Sequence, residues 1–162
     1  MEAIACYDKI LEINPAYISA WRNKGIVLDK LGNAQEAITC YVKVLEQDPG
    51  DSAIWFKKGK ALASIGKHQE AIYCFDKTRE LRGSIMEEPL YYKALAEDAL
   101  GKVQEAEDSY RKFLRILRHP SRAKWFRADP AMIDMMDHAD KRIAELSEMI
   151  QSRGDFTEPD PK

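Results

Sequence analysis

Apolar residues recur along this chain at helical spacing, in stretches separated by short polar breaks. Residues 18–51 contain two sets of residues that recur at spacings of three and four. The first set is Trp21, Gly25 and Leu28, and the second is Ala37, Ile38, Tyr41, Val44 and Leu45. This spacing predicts two helices, over residues 19–31 and 35–47. Gly32 ends the first because glycine takes a left-handed cap cheaply, and Pro49 ends the second because proline has no N–H to donate.

The same pattern returns along the chain with a period of 34 residues, lengthened to 35 in the last step. The residues in phase are Ala3, Ala37, Ala71 and Ala106, then Tyr7, Tyr41, Phe75 and Tyr110, with Cys6, Cys40 and Cys74, Trp21 and Trp55, Gly25 and Gly59, Gly32 and Gly66, and Pro15 and Pro49. Self-similarity at such a period is the signature of a repeat architecture. The chain is therefore predicted to be a series of helix pairs.

Small residues stand in the middle of each predicted first helix, where glycine costs about 1 kcal/mol relative to alanine. They are Gly25, Gly59 and Ala94. We expect this cost to be offset by close approach of the second helix of the pair. The small residues expected to lie opposite are Ala37, Ala71 and Ala106.

These residues resemble the tetratricopeptide repeat, in which Trp-x-x-x-Gly, a Leu-Gly turn, Ala-x-x-x-aromatic and Asp-Pro follow in order. The first full repeat has this order throughout. The second has Gly83 in place of the closing proline, and the third has Leu90 for the tryptophan and Glu97 at a usually apolar place. The resemblance covers roughly residues 1–119 and implies an all-α, right-handed α-solenoid of antiparallel helix pairs.

The repeats and the breaks divide the chain into six segments. Residues 1–17 are the second helix of a truncated repeat, 18–51 and 52–86 are repeats, 87–119 are a degenerate repeat, 120–152 hold a C-terminal capping helix, and 153–162 form a flexible tail.

The N-terminal segment is half a repeat. Its predicted helix, residues 2–13, has no first helix to pack against, so the face of Ala3, Tyr7 and Ile10 lacks part of its cover. Two explanations stay open. The chain is a piece of a longer array, or this end is buried against another copy, which would make a homo-oligomer.

The C-terminal helix is predicted from Pro130 to about Arg153. Its apolar residues recur at spacings of four and three as a narrow seam: Met132, Met136, Ala139, Ile143, Leu146 and Ile150. We expect this seam to cap the last repeat, and a dimerising coiled coil is the alternative.

Composition narrows the class of protein. In 162 residues, 25 basic and 27 acidic side chains leave a net charge of −2, which gives no overall attraction to nucleic acid or anionic lipid. The longest uncharged run, residues 13–21, is short of the ~18 that a membrane span needs. Glu2 and Asp8 do not suit a signal sequence, and three widely spaced cysteines do not form a disulfide framework. A cytoplasmic protein without membrane association is expected.

Motifs that would carry catalysis are weak. Gly59 and Gly66 are followed by His68 where a phosphate-binding loop needs Ser or Thr, and their spacing differs from that motif. Asp134 and His138 lie one helical turn apart, but two ligands without a third make a poor metal site. We expect no enzyme activity, no cofactor and no metal.

The resemblance implies that the first helices line a concave groove that binds peptide segments of partner proteins, as in adaptors and scaffolds. The predicted groove residues lie on first helices away from the packing positions: Arg22, Asn23, Ile26, Phe56, Lys57, Lys60, Tyr91, Tyr92 and Leu95. Their cations favour a peptide with an acidic or carboxylate end, and their rings offer apolar anchors. Ordinary solvated residues are the alternative.

Some members of this family hold the acidic C-terminal tails of heat-shock chaperones with Lys and Asn on one first helix, Asn on the next, and Lys with Arg on the third. Arg22 can stand for the first lysine here, but Ile26 and Lys57 replace the asparagines. Glu88 and Tyr92 replace the last basic pair. This incomplete match predicts no strong binding of such tails.

A second hypothesis comes from a basic strip in residues 111–127, which contain no acid. Its cations are Arg111, Lys112, Arg115, Arg118, Arg122, Lys124 and Arg127. With Trp125 and Phe126 to stack on bases, the strip could bind nucleic acid or an acidic partner. We favour the alternative, a solvated face balanced by the aspartates that follow, so nucleic acid is not the expected partner.

Overall fold

A computed structural model describes residues 2–82, 87–120 and 129–154, and no residue in these ranges belongs to a β-strand. The helices are α1 (Glu2–Ile13), α2 (Ile18–Lys30), α3 (Ala34–Gln47), α4 (Ser52–Ser64), α5 (His68–Arg82), α6 (Glu88–Ala99), α7 (Val103–Leu117) and α8 (Pro130–Gly154). The predicted all-α class is confirmed. The chain forms two compact units, divided between Ser84 and Ile85, so that unit 1 holds α1–α5 and unit 2 holds α6–α8.

Each first helix ends at a glycine in the left-handed conformation. Gly32, Gly66 and Gly101 have φ values of 81°, 78° and 69°. In each case the N–H of the next residue donates to a carbonyl five residues back, as in the bond from Asn33 N to Leu28 O at 2.9 Å. This is the Schellman cap, and it reverses the chain so that the second helix packs back on the first.

The helix pairs of unit 1 are closed by an aromatic ring lying over a glycine. A Cβ placed on Gly25 would lie 2.8 Å from Tyr41 Cε1, and one on Gly59 would lie 2.6 Å from Phe75 Cε1. Non-bonded carbon atoms do not approach this closely, so any residue larger than glycine at these positions would force the neighbouring ring to shift. The predicted close approach of the second helix is confirmed, but the nearest side chains to the glycines are the aromatic rings and not the predicted alanines.

Helix α1 packs against α2 by one side only. Leu11 is the buried residue of α1, and Asp8 forms an ion pair with Lys24 of α2. Ile10, on the face predicted to lack its cover, is 38% exposed. The uncovered face is thus present as the sequence predicted.

In unit 2, α8 covers α7 with the predicted seam. Met132, Ala139 and Leu146 are buried in one cluster with the core residues of α6 and α7, and the other seam residues pack partly against it. The seam is therefore used inside the unit, which agrees with a capping helix and not with the alternative coiled coil. Most of the predicted tail, beyond Gly154, lies outside the described residues.

Glu107 joins α7 to α8 through a shared carboxylate oxygen. Its Oε1 accepts a hydrogen bond from Ser147 Oγ at 2.7 Å and another from Arg111 Nε at 3.0 Å. The hydrogen bond from Ser147, followed by those from Arg111, holds the pKa of Glu107 below its ordinary value. The carboxylate therefore stabilises the fold above the pKa of the unfolded chain, and this contribution is lost as pH falls through the folded pKa.

We expect Ser147→Ala to make stability less sensitive to acid, because the folded and unfolded pKa values of Glu107 then lie closer together. Thermal unfolding followed from about pH 6 down to about pH 3 should show a shallower fall of Tm in the variant than in the parent. Ser152→Ala is the control, since that hydroxyl donates to Met149 O within the same helix. Identical pH dependence in the parent and in Ser147→Ala would contradict this assignment.

Candidate functional site

Three predicted groove residues lie on α2, in different environments. The guanidinium of Arg22 forms an ion pair with Asp51, which is also the N-cap of α4 and accepts a hydrogen bond from Ile54 N at 3.1 Å. Arg22 therefore ties α2 to the start of α4, and its charge is compensated. Asn23 is exposed and its amide has no hydrogen bond to a described residue, while Ile26 is half-buried.

On α4, the predicted residues are Phe56, Lys57 and Lys60. The ammonium of Lys60 lies 5.7 Å from the centre of the Phe56 ring, a cation–π distance. Phe56 itself packs against Phe75, with ring centroids 5.9 Å apart. Lys57 is half-buried, and its ammonium forms no ion pair within the described part of the chain.

Asn23, Ile26, Phe56, Lys57 and Lys60 define what we name the α2/α4 surface. Asn23 and Ile26 are one turn apart on α2, and Lys60 is one turn from both Phe56 and Lys57 on α4, so these side chains lie on neighbouring parts of the helix surfaces. The surface offers an amide that can donate and accept, two ammonium groups and two half-buried apolar side chains. This set can hold a peptide backbone and a carboxylate against apolar anchors.

Tyr91, on α6, lies against α8. Its hydroxyl is 3.1 Å from His138 Nδ1, and its ring centroid is 5.3 Å from that of Phe113. Burial raises the pKa of Tyr91. The ring thus belongs to the packing of unit 2, which sequence reasoning missed. No sequence signal indicated this contact, because His138 lies 47 residues away and outside the repeat pattern.

The remaining groove residues of α6 are less enclosed by this packing. Tyr92 is half-buried, with its ring 5.6 Å from that of Tyr91. Leu95 is half-buried and packs partly against the core of unit 2. Their role in binding stays a prediction.

The basic strip is only partly described. Arg111 forms an ion pair with Glu107, and Arg118 forms one with Asp140, an aspartate that the sequence analysis expected to balance the strip. Lys112 and Arg115 are exposed on α7. Three further members lie outside the described residues: Arg122, Lys124 and Arg127. Two of its arginines are thus already neutralised within unit 2.

Other candidate chemistry finds little support in the described ranges. No three His, Cys, Asp or Glu side chains come together there to hold a metal ion. Nor is any helix in those ranges long and apolar enough to cross a membrane. The three cysteines are free, and burial raises the pKa of Cys74 to about 11, so its thiol is neutral at physiological pH.

Two sequence profiles of the tetratricopeptide repeat match the chain, one at residues 18–51 and one at residues 40–73. No curated protein sequence matches significantly.

Solved structures share the fold. A crystal structure of MamA is 20% identical with a TM-score of 0.68, covering 94% of this chain and 90% of that one. A second MamA crystal structure is 19% identical with a TM-score of 0.68, covering 98% and 87%. The first TPR of Spaghetti (RPAP3), bound to the HSP90 peptide SRMEEVD, is 20% identical with a TM-score of 0.62, covering 78% and 93%.

Proposed function

We propose that this chain, whose residues 18–73 match two profiles of the tetratricopeptide repeat, is a protein-interaction module that binds a carboxylate-bearing peptide segment of a partner on the α2/α4 surface. A rigid helical surface suits this role, because it loses little conformational freedom when a flexible chain settles on it.

The observation that carries the proposal is the environment of Lys57. Arg22, the neighbouring cation on α2, is already compensated by Asp51, whereas Lys57 has no carboxylate partner among the described residues. A half-buried ammonium next to apolar side chains gains from a partner's carboxylate, because a charge-assisted hydrogen bond is stronger where water is partly excluded. Asn23 can pair with the peptide backbone beside it.

The similar RPAP3 structure holds the acidic peptide SRMEEVD. In this chain, the places at which related repeats carry clamp asparagines have Ile26 and Lys57. We therefore expect the α2/α4 surface to prefer a different acidic peptide and to bind SRMEEVD weakly. Micromolar affinity for SRMEEVD that is lost in Lys57→Glu would overturn this expectation.

We expect Lys57→Glu to weaken peptide binding about tenfold, which corresponds to about 1.4 kcal/mol, because an attraction becomes a repulsion. Peptides selected from a random-sequence display library on the parent chain would be titrated by fluorescence anisotropy. Lys43→Glu is the matched control, because this α3 lysine is 47% exposed and lies on a second helix. The proposal fails if both variants bind like the parent, or if the selected peptides lack acidic residues.

A further inference from the structure

A lysine stands at the same place in all three first helices, directly before the small residue at the helix centre. These lysines are Lys24, Lys58 and Lys93. Lys24 forms an ion pair with Asp8 of α1, and Lys93 forms one with Glu97, whose Oε1 lies 3.7 Å from the lysine Nζ. Lys58 is half-buried and forms no ion pair among the described residues. In two of the three repeats the chain itself therefore supplies this lysine with a carboxylate.

Both sources of that carboxylate are replaced by apolar residues around Lys58. Val42 of α3 stands 34 residues after Asp8, and Leu62 has the repeat position of Glu97. Helix α3 packs against α4 as α1 packs against α2, so Val42 takes the place of Asp8. The ammonium of Lys58 is left without the partner that its equivalents have.

The ring beside Lys58 does not substitute for a carboxylate. The Nζ of Lys58 lies 5.1 Å from the centre of the Trp55 ring. Lys24 lies in the same way over Trp21, at 5.7 Å, and still pairs with Asp8. A cation–π contact occupies one side of an ammonium, and its remaining N–H groups can donate elsewhere. Lys58 therefore keeps the capacity to bind a carboxylate.

Next to Trp55 lies an aromatic side chain that the other repeats lack. Tyr73 of α5 is 55% exposed, and its ring centroid is 5.8 Å from that of Trp55 in an edge-to-face arrangement. The other repeats have small or polar residues at this position: Ala5, Thr39 and Asp108. The repeat with the unpaired lysine thus also presents an exposed ring. Tyrosine and tryptophan side chains of this kind commonly anchor partner proteins.

We propose that Trp55, Lys58 and Tyr73, which we name the α4/α5 surface, bind an acidic segment of a partner protein. A carboxylate of that segment pairs with Lys58, as Asp8 pairs with Lys24. An apolar side chain beside the carboxylate packs on the two rings. The ion pair is strengthened because Lys58 is half-buried and water is partly excluded there.

The charges around the α4/α5 surface favour a carboxylate over a phosphate. Lys77 is the other cation near these rings, with its Nζ 5.7 Å from the centre of the Tyr73 ring. It is already paired with Glu80 at 2.7 Å. Lys58 is then the one cation of this cluster without a carboxylate in the described part of the chain. A single ammonium matches the single charge of a carboxylate, whereas phosphate groups are typically held by several cations.

The α4/α5 surface is separate from the α2/α4 surface. Lys57 and Lys58 are consecutive on α4, and consecutive helical residues project about 100° apart, so the two lysines serve different sides of the helix. All residues of the α4/α5 surface lie within unit 1, on helices that follow α1 and α2. The site therefore does not depend on where the sequence begins, and it does not rest on the function proposed above.

The test selects peptides from a random-sequence display library on the full chain carrying Lys57→Gln. This change removes a charge from the α2/α4 surface without adding a carboxylate near Lys58, so failure of the function proposed above would not affect the result. We expect the selected peptides to combine Asp or Glu with a neighbouring apolar residue. Titrated by fluorescence anisotropy, they should bind at least about tenfold more weakly when Lys58→Met is added, because methionine keeps an apolar stem and lacks the ammonium.

Val42→Asp is the most specific variant, because it supplies Lys58 from α3 with the carboxylate that Asp8 supplies to Lys24. It should weaken peptide binding at least about tenfold, although it alters none of the three residues of the surface. Val42→Asn is the matched control, since its amide has the shape of the carboxylate without the charge, and it should bind like its parent. Thermal unfolding checks that both fold. If Val42→Asp does not fold, Lys58→Met decides.

Four results would overturn the proposal. The first is the recovery of no peptide that binds the Lys57→Gln chain more tightly than about 100 μM, and the second is the selection of peptides without acidic residues. The third is equal binding with and without Lys58→Met. The fourth is a rise in peptide affinity of at least about tenfold when residues 155–162 are deleted. Those residues include Asp155, Glu158 and Asp160, so the chain's own acidic segment would then be the occupant.

Discussion

Replacing Phe75 with alanine is expected to destabilise the chain by about 3–5 kcal/mol, whereas the same replacement of Tyr7 is expected to cost less than about 1 kcal/mol. The two residues occupy the same place in the repeat. Phe75 is 0% exposed and lies over Gly59, so its truncation leaves a cavity that close-packed helices cannot fill. Tyr7 is half-buried, and no first helix among the described residues packs against it, so its truncation leaves no closed cavity.

Urea unfolding followed by circular dichroism gives the free energy of unfolding for each variant. Tyr73→Ala is the control for loss of an aromatic ring from the same helix as Phe75, because Tyr73 is 55% exposed and should cost little. If Tyr7→Ala proved as costly as Phe75→Ala, the face of α1 would be buried in solution. The exposure of this face described above would then be wrong.

Helix positions could be predicted closely from the sequence because they depend on local features. The face of α2 follows from the spacing of three residues, and its end follows from one glycine. The predicted helix over residues 2–13 is found as Glu2–Ile13, and the predicted 35–47 is found as Ala34–Gln47. Repetition strengthened these predictions, since each signal was read again one period later.

The candidate site was harder to predict because spacing along one helix does not say which side chains reach it from elsewhere. Arg22 was expected to be an open cation, but the N-cap of α4 supplies Asp51 to it. Tyr91 was expected to be an open anchor, but His138 approaches it from 47 residues away. In both cases the partner side chain comes from the first helix of the following pair or its equivalent, α4 for Arg22 and α8 for Tyr91. Those partner residues do not follow the repeat spacing, so the sequence pattern did not indicate them. Lys57 forms no ion pair among the residues that the structure describes.

The second large effect is expected for Leu146→Asp, which should detach α8 from unit 2. Leu146 belongs to the seam and is 0% exposed, so a carboxylate there would be buried without a partner at a cost of several kcal/mol. The ion pairs that also hold α8, Arg142 with Asp98 and Arg118 with Asp140, lie nearer the surface. The exposed pair of Arg118 with Asp140 contributes at most about 1 kcal/mol. Arg142 makes two hydrogen bonds to the half-buried Asp98 and contributes more, but it lies at the edge of the seam and does not replace the apolar contacts.

Hydrogen exchange measured by mass spectrometry should show this detachment directly. Amides of α8 are expected to exchange about 100-fold faster or more in Leu146→Asp, because the helix loses the contacts that protect it, while amides of α3 and α4 keep the parent's rates. Ala144→Asp is the matched control, since it places the same charge on an exposed position of the same helix. If α8 stayed equally protected in both variants, the seam would not be what holds it. The polar contacts at its edges, above all Glu107 with Ser147 and Arg142 with Asp98, would then have to be the main attachment.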